Sequence, residues 1–122
     1  MMDLVSHFIR YLEVERQLSS HTVRAYGSDI AQLQAFLVEL IDLSSLGENV
    51  DIWSQVQERH LLKFMRARMT VDGAASVGRK VAAIKTFFAY LNKRHGFVGN
   101  PAALLRAPRN QRHLPVYLEE EE

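Results

Sequence analysis

The chain has 122 residues, 48% apolar and 24% charged, which is the composition of one folded globular domain and leaves no room for a second full domain. It contains no cysteine, which excludes disulfides and thiolate metal sites and permits a reducing cytoplasm, where we expect the protein to act. The net charge of +1 conceals an uneven distribution, because residues 1–54 carry three Lys/Arg and eight Asp/Glu whereas residues 55–95 carry nine and two.

The first two predicted helices are defined by apolar residues at helical spacing, and no segment alternates as a half-buried strand would. The first helix spans about residues 3–17, with Asp3 as its N-cap. Ser19 or Ser20 caps the second helix, which extends to about Ile41. The side of the second helix that faces away from the core is predicted to carry His21, Arg24, Ala25, Ser28 and Gln32.

Two further long helices follow a connection at residues 42–57, in which Ile52 and Trp53 are expected to pack against the core. The third helix covers about residues 58–69 and the fourth about residues 76–95. The inner stripe of the fourth helix consists of Val77, Val81, Ile84, Phe88 and Leu91. Turned about 100° away from that stripe, a basic face carries Ser76, Arg79, Lys80 and Ala83.

The end of the chain predicts a short fifth helix and then a linker. Asn100 and Pro101 favour a helix start, and Pro108 ends that helix. Residues 107–115 are basic, bounded by proline and poor in apolar side chains, as is typical of an extended connection between domains. We therefore expect an all-α domain of four to five helices at residues 1–106 and a linker at 107–122.

No pattern in the sequence predicts an active site, a metal site or a cofactor site. The five histidines lack the HExxH spacing, and the six glycines form neither GxGxxG nor GxxxxGK. Tyr117 is followed by four glutamates and not by the cations that a nucleophilic tyrosine needs for attack on a phosphodiester. The apolar runs are also far shorter than the roughly 20 residues that span a membrane. We expect no catalytic residue, cofactor, small-molecule substrate or membrane contact.

Three basic features predict binding to nucleic acid. The start of the second helix offers unpaired backbone amides together with His21, Thr22 and Arg24, a combination suited to phosphate oxygens. The fourth helix offers Ser76, Arg79 and Lys80, with Gly78 and Ala83 small enough for a close approach, and the linker offers Arg106, Arg109 and Arg112. The alternative is a helical protein-interaction module whose basic faces are only solvated.

Several segments in order resemble the N-terminal, core-binding (SAM-like) domain of XerC/XerD-type tyrosine recombinases, in the phage integrase superfamily. The resemblance covers nearly the whole chain and depends on the order of pieces that are individually weak. The pieces are residues 8–12, 14–19 (VERQLS), Thr22, Tyr26, Asp29, Ile30, 73–76 (GAAS), 85–91 (KTFFAYL), 100–102 (NPA), Pro108, Arg109, 112–115 (RHLP) and Leu118.

The resemblance implies a SAM-like domain that places its second and fourth helices across the major groove of double-stranded DNA near a cleavage site. The DNA contacts it implies come from His21, Thr22, Arg24, Ala25, Ser76, Arg79 and Lys80, with Arg106, Arg109 and Arg112 running along the backbone. It further implies that strand cleavage and exchange, within a homo- or hetero-tetramer, belong to a catalytic domain that begins near the end of the chain. Residues 107–122 would then be the interdomain linker and the start of that domain.

Overall fold

The computed structural model describes residues 3–41 and 51–108, which form four α-helices and one short 3-10 helix. The α-helices are α1 (Leu4–Val14), α2 (Ser20–Leu40), α3 (Glu58–Asp72) and α4 (Ala74–His95), and the 3-10 helix is Ile52–Gln55. The prediction of an all-α fold is confirmed. Among these residues, no helix combines the length and the apolar character that crossing a bilayer would require.

The starts and ends of the helices follow from local backbone chemistry. Ser19 is the N-cap of α2, and its Oγ accepts a hydrogen bond from the amide of Thr22 at 3.1 Å. α4 ends at Gly96, which adopts the left-handed conformation with φ 69° after a basic last turn. Gly73 lies between α3 and α4 with φ 87°. A glycine suits this position because the backbone conformation is strained for residues with a Cβ.

α1 ends three residues before the predicted boundary at residue 17. The amides of Glu15 and Arg16 both donate to the carbonyl of Tyr11, and the amide of Leu18 donates to the carbonyl of Leu12. Gln17 takes a positive φ of 52°, which reverses the chain toward α2. The reversal is a backbone feature that apolar spacing does not reveal.

α4 carries nine buried residues and packs against both α2 and α3. The predicted inner stripe of α4 is confirmed as buried, and so is the packing of Ile52 and Trp53. Phe87 stands at the middle of an aromatic cluster, with ring centroids 4.7 Å from Trp53 and 5.0 Å from Phe8. Edge-to-face contacts of this kind fix α1, the 3-10 helix and α4 relative to one another.

The predicted fifth helix is wrong: Pro101 begins a run of tight turns that ends at Leu104. The Oδ1 of Asn100 accepts from the amide of Ala102 at 2.9 Å, as a capping asparagine would. The amides of Ala103 and Leu105 then donate to carbonyls three residues back, so the segment tightens into turns. The signals of a helix start are genuine here, but too few residues follow for a helix to propagate.

His60 holds the start of α3 through its imidazole. The Nδ1 atom accepts a hydrogen bond from the backbone amide of Gln57 at 2.9 Å, and the side chain is buried. Burial is the main cause that lowers the pKa of His60 below its usual 6.5, and the nearby Arg59 and Lys63 lower this pKa further. A proton on Nδ1 would replace the acceptor with a donor and break this cap.

We expect the free energy of unfolding to decrease as the pH falls below about 6.5. Below that pH the unfolded chain binds a proton at His60 that the folded chain resists, so acid favours unfolding. Urea unfolding of the wild type and of His60→Gln at pH 7.5 and pH 5.5 measures this contribution, because glutamine at this position can still accept from the cap amide. The wild type should lose more stability than the variant. Equal losses in the two proteins would contradict the role of His60 as a neutral hydrogen-bond acceptor.

Candidate nucleic-acid interface

A buried carboxylate on α2 organises the basic side of the molecule. The Asp29 side chain is 0% exposed and lies beside the core residue Ile30. It accepts two hydrogen bonds from the Arg79 guanidinium, from Nε at 2.9 Å and from Nη2 at 2.7 Å. It also accepts from Nζ of Lys80 at 2.9 Å. One carboxylate on α2 therefore holds two neighbouring cations on α4.

Lys80 is placed differently from the sequence prediction. Its side chain is only 3% exposed, and Nζ donates to Gln32 at 2.6 Å as well as to Asp29. Ala83, which was assigned to the same outward face, is also buried. The prediction of an outward face containing these two residues is wrong, because α4 is covered by α2 and by α3 and so buries a wider arc than its apolar stripe.

The charged network extends to the end of α3. Arg68 forms a bidentate pair with Asp72, at 2.7 Å and 3.0 Å, and Asp72 lies 3.8 Å from Nζ of Lys80. The Arg68 guanidinium is the main cause that holds the pKa of Asp72 below its ordinary value, with smaller contributions from Lys80 and Arg79. Three cations and two carboxylates thus join α2, α3 and α4, and positive charge remains in excess.

Arg79 is the member of this network that reaches the surface. Its side chain is 46% exposed, and the Asp29 carboxylate raises the pKa of the guanidinium, which therefore stays cationic. The pair with Asp29 uses Nε and Nη2, so the Nη1 group takes no part in it. A planar guanidinium gripped along one edge presents its other donors in a fixed direction. This geometry suits recognition of phosphate or of a guanine edge.

The predicted residues of α2 lie in its first two turns, on the N-terminal side of Asp29. His21 and Arg24 are exposed, and Thr22 and Ala25 are half-buried. Because residues four apart share a helix face, His21, Ala25 and Asp29 follow one another along one side of α2. The amide of Thr22 is not unpaired as expected, since it bonds to the Ser19 Oγ.

The segment after α4 runs back toward the first half of that helix. Nζ of Lys85 donates to the carbonyl of Leu105 at 2.9 Å. A Cβ added to Gly78 would lie 3.8 Å from the Cβ of Ala107, which is van der Waals contact. The close approach expected at Gly78 is therefore made by the chain itself. Arg106, between these two anchors, is exposed, and Ser76 is half-buried in the first turn of α4. Arg109 and Arg112 lie outside the described residues.

Sequence reasoning did not assign a role to Asp29, Gln32 or Asp72 in this network. The available signal was the position of Asp29, directly before Ile30 of the apolar stripe of α2. Burial of a carboxylate there is unfavourable unless a cation is buried beside it. The partners of Asp29 are 50 and 51 positions away in sequence, so no local pattern identifies them.

Comparison with known proteins gives a consistent result. The family described as phage integrase, N-terminal SAM-like domain, matches residues 5–95. Tyrosine recombinase XerC of Herpetosiphon aurantiacus is 36% identical over 116 residues, which are 94% of this chain and 35% of that protein. The corresponding figures are 34%, 98% and 37% for XerC of Pelobacter propionicus, and 37%, 100% and 39% for XerC of Xylella fastidiosa.

The chain thus spans little more than a third of the length of these curated relatives. No solved structure matches it significantly. The family match covers α1 to α4, including Asp29, Arg79 and Lys80. The chain therefore belongs to the phage integrase N-terminal SAM-like domain family.

Proposed function

We propose that the chain is the DNA-binding N-terminal domain of a site-specific tyrosine recombinase. It grips duplex DNA near the cleavage site, while strand exchange is catalysed by a C-terminal domain that begins within residues 107–122. The observation that carries the proposal is the guanidinium of Arg79, which is exposed and anchored to Asp29 on α2 in a member of this family.

The chemistry of this surface favours a polyphosphate. Arg24, Arg79 and Arg106 are exposed cations on α2, on α4 and on the segment that returns along α4. The hydroxyls of Thr22 and Ser76 lie in the first turns of α2 and α4, where the helix dipole also favours an anion. Contacts to phosphate position a protein on DNA, whereas an arginine bound to a guanine edge would add sequence preference.

The relatives are named tyrosine recombinases, and the remaining parts of the proposal follow from the family. The whole protein would act in the cytoplasm as a homo- or hetero-tetramer on double-stranded DNA. Residues 107–122 would be the linker and the start of the catalytic domain, with Arg109 and Arg112 following the DNA backbone. Lys80 would support this face from within the fold, because its ammonium is already held by Asp29 and Gln32.

Salt dependence of binding tests the proposal. Three phosphate contacts, from Arg24, Arg79 and Arg106, predict a slope of about −2.7 for log K against log[salt], so raising salt fourfold from about 50 mM should weaken binding roughly 40-fold. Fluorescence anisotropy of a labelled duplex measures this slope. Lack of binding at low salt, or a slope near zero, would reject the proposal and favour a helical protein-interaction module.

A further inference from the structure

We propose that Asp29 is a positioning residue for DNA binding, which orients Arg79 toward the nucleic acid while Lys80 neutralises its charge. The inference rests on the proposed function and assigns a role to two residues that are themselves buried. Asp29 and Lys80 are 0% and 3% exposed, so neither is expected to touch DNA.

Asp29 makes more ion pairs than are needed to neutralise its buried carboxylate. Lys80 alone, at 2.9 Å and buried, supplies the cation that a buried carboxylate needs. The additional bidentate pair to Arg79 immobilises a long, half-exposed side chain that would otherwise sample many rotamers. Ordering such a side chain before binding removes part of the entropy cost of binding, which is the usual advantage of preorganisation.

Lys80 offsets the negative charge of Asp29, so that the charge of Arg79 is not cancelled. A carboxylate paired only with Arg79 would cancel the charge that the arginine offers to a phosphate. Because Lys80 also bonds to Asp29, the three groups together keep one positive charge, and the exposed part of that charge belongs to Arg79. Lys80 thus favours DNA binding indirectly, because it neutralises Asp29 and leaves Arg79 as the net positive charge at the surface.

A positioning role for Asp29 and simple electrostatics predict opposite changes in DNA affinity for Asp29→Asn. Asp29→Asn removes a negative charge from a surface that binds a polyanion, and charge alone would increase affinity. If Asp29 positions Arg79, the same substitution lowers affinity, because the amide NH₂ cannot accept the second hydrogen bond from the guanidinium. We expect a loss of about fivefold, comparable to the net contribution of one ordinary intramolecular hydrogen bond.

A double-mutant cycle on a labelled duplex at low salt tests the inference. The four proteins are the wild type, Asp29→Asn, Arg79→Ala and the double variant, and Glu15→Gln is the matched control. Glu15 also pairs with an arginine, Arg94, but at the opposite end of α4, so its substitution should cause no loss. Asp29→Asn should lose affinity only when Arg79 is present.

Equal or tighter binding by Asp29→Asn, an unchanged affinity in Arg79→Ala, or the same loss in both backgrounds would overturn the inference. Failure of the wild type to bind would instead reject the proposed function. If Asp29→Asn does not fold, the double variant Asp29→Asn with Lys80→Met removes the buried pair without changing the net charge. It retains Arg79 but not the carboxylate that anchors it, and we expect the same loss of about fivefold as for Asp29→Asn; binding at the wild-type level would overturn the inference.

Discussion

Replacing Asp29 by alanine is expected to destabilise the domain by about 3–5 kcal/mol, because it leaves a buried ammonium without its main partner. Lys80 is 3% exposed, and its remaining partners would be the Gln32 amide oxygen at 2.6 Å and the more distant Asp72 carboxylate at 3.8 Å. A loss of this size is a large fraction of the stability of a small domain, which is about 5–15 kcal/mol in total. Urea unfolding, compared at constant m-value, measures this difference.

A compensating pair of substitutions separates the buried charge from general loss of packing. Asp29→Leu combined with Lys80→Met removes both charges and fills the space with apolar atoms, and such replacements are often neutral or stabilising. We expect it to recover most of the stability lost in Asp29→Ala. Glu15→Ala, which breaks an exposed pair with Arg94, should cause a much smaller change. A loss below about 1 kcal/mol in Asp29→Ala would contradict the buried network.

Replacing Arg79 by alanine is expected to lower affinity for duplex DNA about tenfold at low salt, which corresponds to about 1.4 kcal/mol. The substitution removes the anchored guanidinium and leaves the Asp29–Lys80 pair in place. The salt slope should also become shallower by about 0.9, because one phosphate contact is lost. Fluorescence anisotropy titrations at several salt concentrations give both quantities.

Arg94→Ala is the matched control for this prediction. Arg94 is similarly exposed, lies on the same helix and is also paired with a carboxylate, that of Glu15. It is fifteen residues from Arg79, or about 22 Å along α4. We expect its loss to change affinity less than twofold, since an isolated distant charge is largely screened. Similar losses in both variants would indicate a general charge effect, and the interface would then not be centred on Arg79.

Much of the fold could be predicted from the sequence, because its signals are local. The serine cap of α2, predicted as Ser19 or Ser20, the inner stripe of α4 and the end of α4 near residue 95 all depend on residues within a few positions of one another. The 3-10 helix at Ile52–Gln55 was predicted only as a connection with two packed side chains. Four residues offer too short a pattern to define a helix type.

The candidate site was predictable only in part, because its decisive contacts are long-range. Periodicity identifies which side of α4 is most apolar, but it does not show that a second helix covers the neighbouring side and buries Lys80. The role of Asp29 depends on cations about fifty positions away. Direct DNA contacts by the predicted residues stay a prediction, except at the buried Lys80, for which a supporting role is proposed instead. The division of the chain near residue 106 also stays a prediction.

An NMR titration of ¹⁵N-labelled protein with a short DNA duplex tests directly whether the starts of α2 and α4 contact DNA. We expect the largest shifts in the amides of residues 19–25 and 74–80, where α2 and α4 begin, and in the side-chain Nε–H of Arg79. Shifts concentrated instead in the groove between α1 and α4, lined by Arg16, Lys85 and Lys93, would contradict this expectation.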